Sequence, residues 1–165
     1  MDLFTGIESS YKDEILTTNG ELKEKYTENF ELQKSPFLNT EYLAFNLEDK
    51  TSPVSDLNFR KAIHHCIDRQ AMIKYLRNGV GKPADGGFCP KGLPSFRKAW
   101  EKPYDLDMAK EYLAKSKFKQ TKPLILTTTS NYLDLCILVQ KNCAEIGIDI
   151  KIDVVPSSLL KQQKS

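Results

Sequence analysis

The side chains best equipped for chemistry are four cysteines, Cys66, Cys89, Cys136 and Cys143, and the adjacent pair His64-His65. A thiolate can attack a carbonyl or bind a soft metal, and an imidazole can move a proton. The spacing argues against both uses. No two cysteines form a C-x-x-C, and neighbouring helical residues point about 100° apart, so His64 and His65 cannot share one metal from a single turn. Cys136 and Cys143 fall on one expected helix, about 10 Å apart along its axis, whereas a disulfide needs Cα atoms within about 7 Å. Both read as small buried hydrophobes. Cys89, in a loop, reads as the most accessible thiol, and its pairing with His64 or His65 is the nucleophilic arrangement that composition leaves open. The chain has no G-x-S-x-G, P-loop, dinucleotide fingerprint or zinc-ligand pair. No catalytic residue, metal ligand or cofactor is assigned.

Composition narrows the partners. The 165 residues suit one domain with one core, and 40% hydrophobic and 28% charged residues are ordinary for a globular chain. Net charge is +2, with Lys and Glu interspersed. No basic stripe points to nucleic acid and no polybasic block points to an anionic membrane. No apolar run approaches the roughly 20 residues that span a bilayer. Met1-Asp2-Leu3-Phe4 lacks the basic and apolar regions of a signal peptide.

The elements that must position any site follow from periodicity and caps. Residues 9–16 suit a short helix, Asn19-Gly20 a turn, and residues 30–32 a short strand. Residues 40–47 alternate as a strand with one buried face, and Asn46 at its end is expected to hydrogen-bond the following loop backbone. Asp56 caps a helix with Leu57, Ala62, Ile63, Cys66 and Ile67 inward, and Arg60 stands four residues on, at ion-pair spacing, to fix helix to turn. Asp68 caps a second helix carrying Met72, Ile73 and Leu76, which Asn78-Gly79 stops. Residues 81–96 form a long Gly/Pro-rich loop, a feature that is usually functional or mobile. Asp105 caps a helix with Met108, Ala109, Tyr112 and Leu113 on one stripe. A strand at 124–128 follows, then a helix capped by Ser130 or Asn131 and stopped at Gly147. Ile148, Ile150, Ile152 and Val154 alternate as a strand, and Pro156 opens a last helix. Helices alternating with strands imply a sheet with helices packed on it, an α/β or α+β domain.

Four segments in this order resemble the central lobe of the oligopeptide/dipeptide-binding class of solute-binding proteins, which feed ABC importers. They are TEYLAFN leading to Pro53 and DLNFRKAI; CIDRQAMI with NGVGKPA; YDLDMAKEYLAKSKF; and LILTTTSNY with a helix ending in EIGIDIKIDVV. The resemblance covers residues 40 to 160. It implies one lobe of a two-lobed periplasmic-binding-protein-like fold, a mixed sheet with flanking helices, truncated. Residues 1–39 are then a lead-in segment, and residues 40–165 an incomplete ligand-binding lobe.

That class closes two lobes on a ligand, usually a short peptide, with nickel chelates, haem, sugars and signalling peptides among the alternatives. The implied partners are a small solute and a cognate ABC permease, with the chain monomeric. The implied location is periplasmic or cell-surface, with an export signal upstream of this chain. One lobe alone is expected to bind peptides weakly. Ligands in sheet-and-helix folds sit at strand C-terminal ends, which singles out Ser130, Asn131 and Tyr132. Free N–H groups of the next helix would hold a peptide carboxylate or carbonyl there. Gly86, Gly87 and Phe88 are the second candidate group, because glycine admits close backbone approach. Asn46, Asp56, Arg60 and Asp68 are read as structural. The competing readings are a sensing or docking module of the same fold without transport, and an unrelated α/β enzyme using Cys89.

Overall fold

The computed structural model describes residues 11–34, 38–90, 92–97 and 103–164. Carboxylate caps start three of its helices. Asp56 accepts from Phe59 N–H at the head of α3 (Leu57–Cys66), Asp68 from Ala71 N–H at α4 (Arg69–Leu76), and Asp105 from Met108 N–H at α5 (Leu106–Ala114). Ahead of them lie two single-turn helices, α1 (Lys12–Ile15) and α2 (Glu24–Thr27). Behind them come β1 (Leu124–Thr128), α6 (Leu133–Glu145), β2 (Ile150–Val154) and α7 (Ser157–Lys164). Gly147, at φ +85°, lets the chain leave α6. Among the described residues no helix is long and apolar enough to cross a membrane.

The core lies where α3 meets α5 and α6. Phe59, Ala62, Ile63 and Cys66 recur at i, i+3, i+4 and i+7 and form the buried stripe of α3. Leu57 is not part of it. Leu57 stands two residues before Phe59, about 200° round the helix, so it is 55% exposed while Phe59 is 1% exposed. Ile67 just after α3, Ala109 from α5, Val139, Cys143 and Ile146 from α6 and its exit, and Ile148 and Ile150 complete the cluster. Met72 packs on its margin, whereas Met108 is exposed.

β1 and β2 pair in parallel with Leu124 opposite Ile150 and Thr128 opposite Val154, joined by α6 as the crossover that parallel strands require. These two strands form the sheet of the described residues, where a mixed sheet is expected; an isolated antiparallel bridge, Leu16 to Leu22, stands apart from it. Gln140 Nε2 ties α6 to the sheet by donating to Ile150 O at 2.6 Å. Gln120 and Asp149 exchange reciprocal amide bonds, at 2.5 and 2.8 Å, just before the two strands.

Other expected elements change. Residues 40–47 run without a strand assignment, and Tyr42, Leu43 and Leu47 are all exposed while Phe45 packs on the core. Alternation becomes a strand only when a neighbour takes its backbone groups, and no ladder among the described residues includes this segment. Residues 30–32 are likewise not a strand. The helix expected over 9–16 is α1 alone, with residues 9 and 10 outside the described residues. The segment after α1 docks on the end of α4. Gly20, at φ +71°, lies so close that a Cβ there would stand 2.7 Å from Asn78 O. Asn78 Nδ2 donates to Asp13 Oδ1 at 3.0 Å.

The core assignment separates two substitutions. Phe59→Ala is expected to destabilise by about 3–5 kcal/mol, through lost burial and a cavity. Leu57→Ala is expected to stay within about 0.5 kcal/mol of the parent. Urea unfolding of both variants checks this, and equal losses would contradict the stripe.

Candidate functional site

At the C-terminal end of β1 the chain turns rather than entering a helix directly. Thr128 is buried, and its carbonyl accepts from Val155 N–H at 2.8 Å, extending the sheet by one bond. Ser130, Asn131 and Tyr132 then form a 3-10 turn, all three exposed. Tyr132 N–H donates to Thr129 O and Leu133 N–H to Ser130 O. Neither Ser130 nor Asn131 caps α6, contrary to expectation, because the inserted turn moves the helix start to Leu133 and gives the cap position to Tyr132, with no side-chain cap bond.

The first turn of α6 carries an ion pair that the sequence reading did not single out. Arg77, at the end of α4, grips Asp134 with two bonds, Nη1 to Oδ2 at 2.6 Å and Nη2 to Oδ1 at 3.3 Å. Asp134 Oδ1 also accepts from Leu135 N–H at 2.8 Å. Burial pushes the Asp134 carboxyl up, but the bonds from Arg77 and Leu135 outweigh it and hold the group below the usual carboxylate range. The bond to Asp134 raises the Arg77 guanidinium, burial opposes it, and the charges of Asp134, Glu41 and Tyr132 add to the rise. The helix end expected to hold a ligand carboxylate thus already holds a carboxylate of its own.

Gly86, Gly87 and Phe88 lie in the loop that follows α4. Phe88 is 69% exposed, and its ring meets Tyr42 edge-on at 5.0 Å between centroids. Gly87 takes φ +90°, with its N–H on Ala84 O. The charge of Glu41, next to Tyr42, is one of those that raise Arg77. Two clefts lie elsewhere. One of about 470 Å³, lined by Phe59, Phe118, Gln120 and Asp149 among others, opens at the N-terminal ends of the strands. The other, about 210 Å³, lies at the head of α4 beside Asp68, Arg69, Asp85 and Tyr104. None of the six candidate residues lines either cleft.

The residues read as structural make the following contacts. Asn46 Oδ1 accepts from Glu48 N–H at 2.9 Å. Arg60 fixes α3 to the preceding turn, but through the carbonyls of Val54 (2.8 Å) and Ser55 (2.9 Å) instead of the Asp56 carboxylate, which is engaged with Phe59 N–H. His65 is buried, its Nδ1 3.2 Å from Pro103 O and its ring stacked on Tyr112. His64 Nδ1 accepts from Arg69 Nη2 at 3.1 Å. Burial holds Arg69 below the ordinary arginine value, with Asp85 opposing. Cys89 is half-buried, its Sγ 3.1 Å from Ser95 Oγ. Cys136 is also only half-buried; it lies on the same side of α6 as Cys143 but two turns nearer the start of the helix. No cluster of three or more His, Cys, Asp or Glu among the described residues could hold a metal.

Sequence reasoning missed Asn142, whose Oδ1 accepts Asp68 N–H at 3.1 Å while the residue is buried. The signal was available: an amide on the stripe of Val139, Cys143 and Ile146. It also missed Cys66 and Cys143, whose sulfurs are 3.6 Å apart across two helices. Spacing within one helix cannot reveal a partner on another.

A parallel strand–helix–strand unit with helices α3 to α5 packed beside it, and exposed groups at the strand end, is an α/β lobe of the periplasmic-binding-protein kind. The chain belongs to the family 5 bacterial extracellular solute-binding proteins, whose middle-region profile matches residues 7–165. The oligopeptide-binding protein OppA of Bacillus subtilis is 34% identical over 86 residues, 51% of this chain and 15% of that protein. The binding protein AgaA of Agrobacterium tumefaciens R10, solved with agropinic acid, is 32% identical, with a TM-score of 0.59 over 70% of this chain and 24% of that one. The pheromone receptor PrgZ shares the fold at 21% identity and a TM-score of 0.68, over 88% of this chain and 31% of that one. The chain spans about a quarter or less of the length of the curated relatives it matches. These relatives are solute-binding proteins and not enzymes, which removes the reading of an α/β enzyme built on Cys89.

The Arg77–Asp134 pair has a defined pH signature. Its carboxyl is depressed in the folded state, so its contribution is full above the unfolded value of about 3.9 and is lost as pH falls through the folded value. Arg77→Ala is expected to cost about 0.5–1 kcal/mol at neutral pH, and the gap between variant and parent to narrow as pH falls below the unfolded value. Urea unfolding across that range checks it. A gap that persists in acid would mean that Arg77 acts through packing.

Proposed function

We propose that this protein captures a small solute, most readily a short peptide, as the substrate-binding component of an ABC importer acting outside the cytoplasmic membrane. The observation that carries this is the family match over residues 7–165. The OppA relative, named for oligopeptide binding, favours peptide among the possible cargoes. Residues 40–165 are assigned to the ligand-binding lobe and residues 1–39 to a segment leading into it. The docking of Gly20 on the Asn78-Gly79 turn supports treating them as one folded unit.

The surface around the end of β1 suits such a ligand. Phe88, Tyr42 and Tyr132 offer exposed aromatic area, which packs against varied side chains with little loss of entropy. The Arg77–Asp134 pair presents both signs of charge with little net field, which fits a zwitterion better than a strong anion. Ser130 and Asn131 add exposed hydrogen-bonding groups in the same turn. Gly87, with open space where a Cβ would stand, leaves room for backbone approach beside Phe88, and Gly86 precedes it.

Native mass spectrometry of the protein, gently purified from its own host, tests the cargo. A ladder of short-peptide masses is expected. A single non-peptide mass would keep the binding role and replace the cargo, and no bound mass would favour a sensing or docking role. With a captured peptide in hand, Phe88→Ala and Tyr132→Ala are each expected to weaken binding about 10-fold by calorimetry. Tyr75→Ala, at a ring that is 71% exposed on α4, is expected to leave it unchanged. Unchanged affinity in the first two would move the site elsewhere.

A further inference from the structure

Cys66 on α3 and Cys143 on α6 lie 77 residues apart in sequence, yet their sulfurs stand 3.6 Å apart. Both side chains are at 0% exposure, inside the cluster that joins the two helices. The Cys66 thiol is directed at Ile63 O, 3.3 Å away, so the Cys143 thiol can donate to the Cys66 sulfur.

We propose that Cys66 and Cys143 form a disulfide when the chain folds in oxidising surroundings, and that this bond staples α3 to α6. A bonded pair needs its sulfurs at about 2.05 Å, a closure of about 1.5 Å from the contact seen here. The other two cysteines have no comparable partner: Cys89 Sγ faces Ser95 Oγ, and Cys136 lies two turns from Cys143 on the same helix. The link would close a loop spanning 77 positions, the long-loop case in which constraint of the unfolded chain is greatest.

The chemistry is thiol–disulfide exchange with an external disulfide, such as oxidised glutathione. One cysteine thiolate attacks the external disulfide, forming a mixed disulfide and releasing one small thiolate. The second cysteine thiolate attacks the protein-side sulfur of that mixed bond, forming the Cys66–Cys143 bond and releasing the other small thiolate. The protein gives up two electrons and two protons, and the external disulfide becomes two thiols. Exchange needs a thiolate, and the bond with Cys66 together with burial pushes the Cys143 thiol upward in the folded state. The exchange therefore belongs to the folding chain, before the core closes, and the finished bond is shielded from reductants.

The test uses the whole 165-residue chain and no ligand. Denatured, reduced protein is refolded in a buffer of oxidised and reduced glutathione, denatured again with an alkylating agent, and digested without reduction. The expected map has one linked peptide pair containing Cys66 and Cys143, with Cys89 and Cys136 alkylated. The linked protein is expected to melt roughly 5–15 °C above the same protein kept in reductant. A Cys89→Ala, Cys136→Ala double variant, which leaves the core untouched, is expected to form the same link. Four alkylated cysteines, or a link that uses Cys89 or Cys136, would overturn the proposal. A linked protein with an unchanged melting point would overturn the staple. Because no ligand enters, failure here leaves the solute-binding reading standing.

Discussion

The structure depends on how closely α3 can approach α5 and α6. Four small side chains, Ala62, Cys66, Ala109 and Cys143, reach 0% exposure at that junction. Small residues at crossing points let helix axes approach while larger ones interdigitate around them. Phe59 and Ile63 fill the space beside them, and Ile148 and Ile150 bring in the start of β2. A bulkier residue at any of the four small positions would push two helices apart and shift the strand–helix–strand unit that carries the candidate site. The hydrophobic term therefore sets not only stability but the position of the end of β1.

Polar contacts then fix angle and register. Asn142 reaches from α6 to the backbone N–H of Asp68, the residue that caps α4. One buried amide thus ties the crossover helix to the corner between α3 and α4. A buried donor left without its acceptor costs about 1–3 kcal/mol, so this bond penalises sliding of α6 along the core. At the opposite end of α4, Arg77 grips Asp134 on the first turn of α6. The pair of helices is held at two points, one buried and neutral, the other half-exposed and charged.

What the sequence showed and what it hid divide along local and non-local physics. The caps Asp56, Asp68 and Asp105 were legible because a cap acts on a backbone N–H three residues away. Strand 124–128 was legible as the apolar run after Pro123, and Gly147 from its place after a helical stripe. Residues 40–47 looked like a strand because alternation is local, but a strand exists only with a partner, which alternation cannot supply. Leu57 looked inward because it is apolar, although its angle from Phe59 excludes it. At the site, the end of β1 was placed by a general rule for sheets, while Arg77–Asp134, Asn142–Asp68 and Cys66–Cys143 each join residues 57 to 77 positions apart. No spacing rule reaches that far.

The ion pair also changes what kind of recognition this lobe can perform. A bare helix N-terminus attracts anions through its unpaired N–H groups and dipole. Here Asp134 sits in that field and accepts from the Leu135 N–H, and Arg77 neutralises it. An incoming carboxylate would meet a like charge and would have to break a two-pronged guanidinium bond to reach the helix. Selectivity by a ligand's net negative charge is therefore disfavoured at this point. What remains on offer is aromatic area at Tyr42, Phe88 and Tyr132 and the hydroxyl and amide groups of Ser130 and Asn131. On the proposed reading of this surface as the ligand site, such groups would respond to shape and neutral hydrogen-bonding capacity more than to charge. If that surface holds the ligand, pairing Arg77 with Asp134 removes one interaction that would rank small solutes by charge.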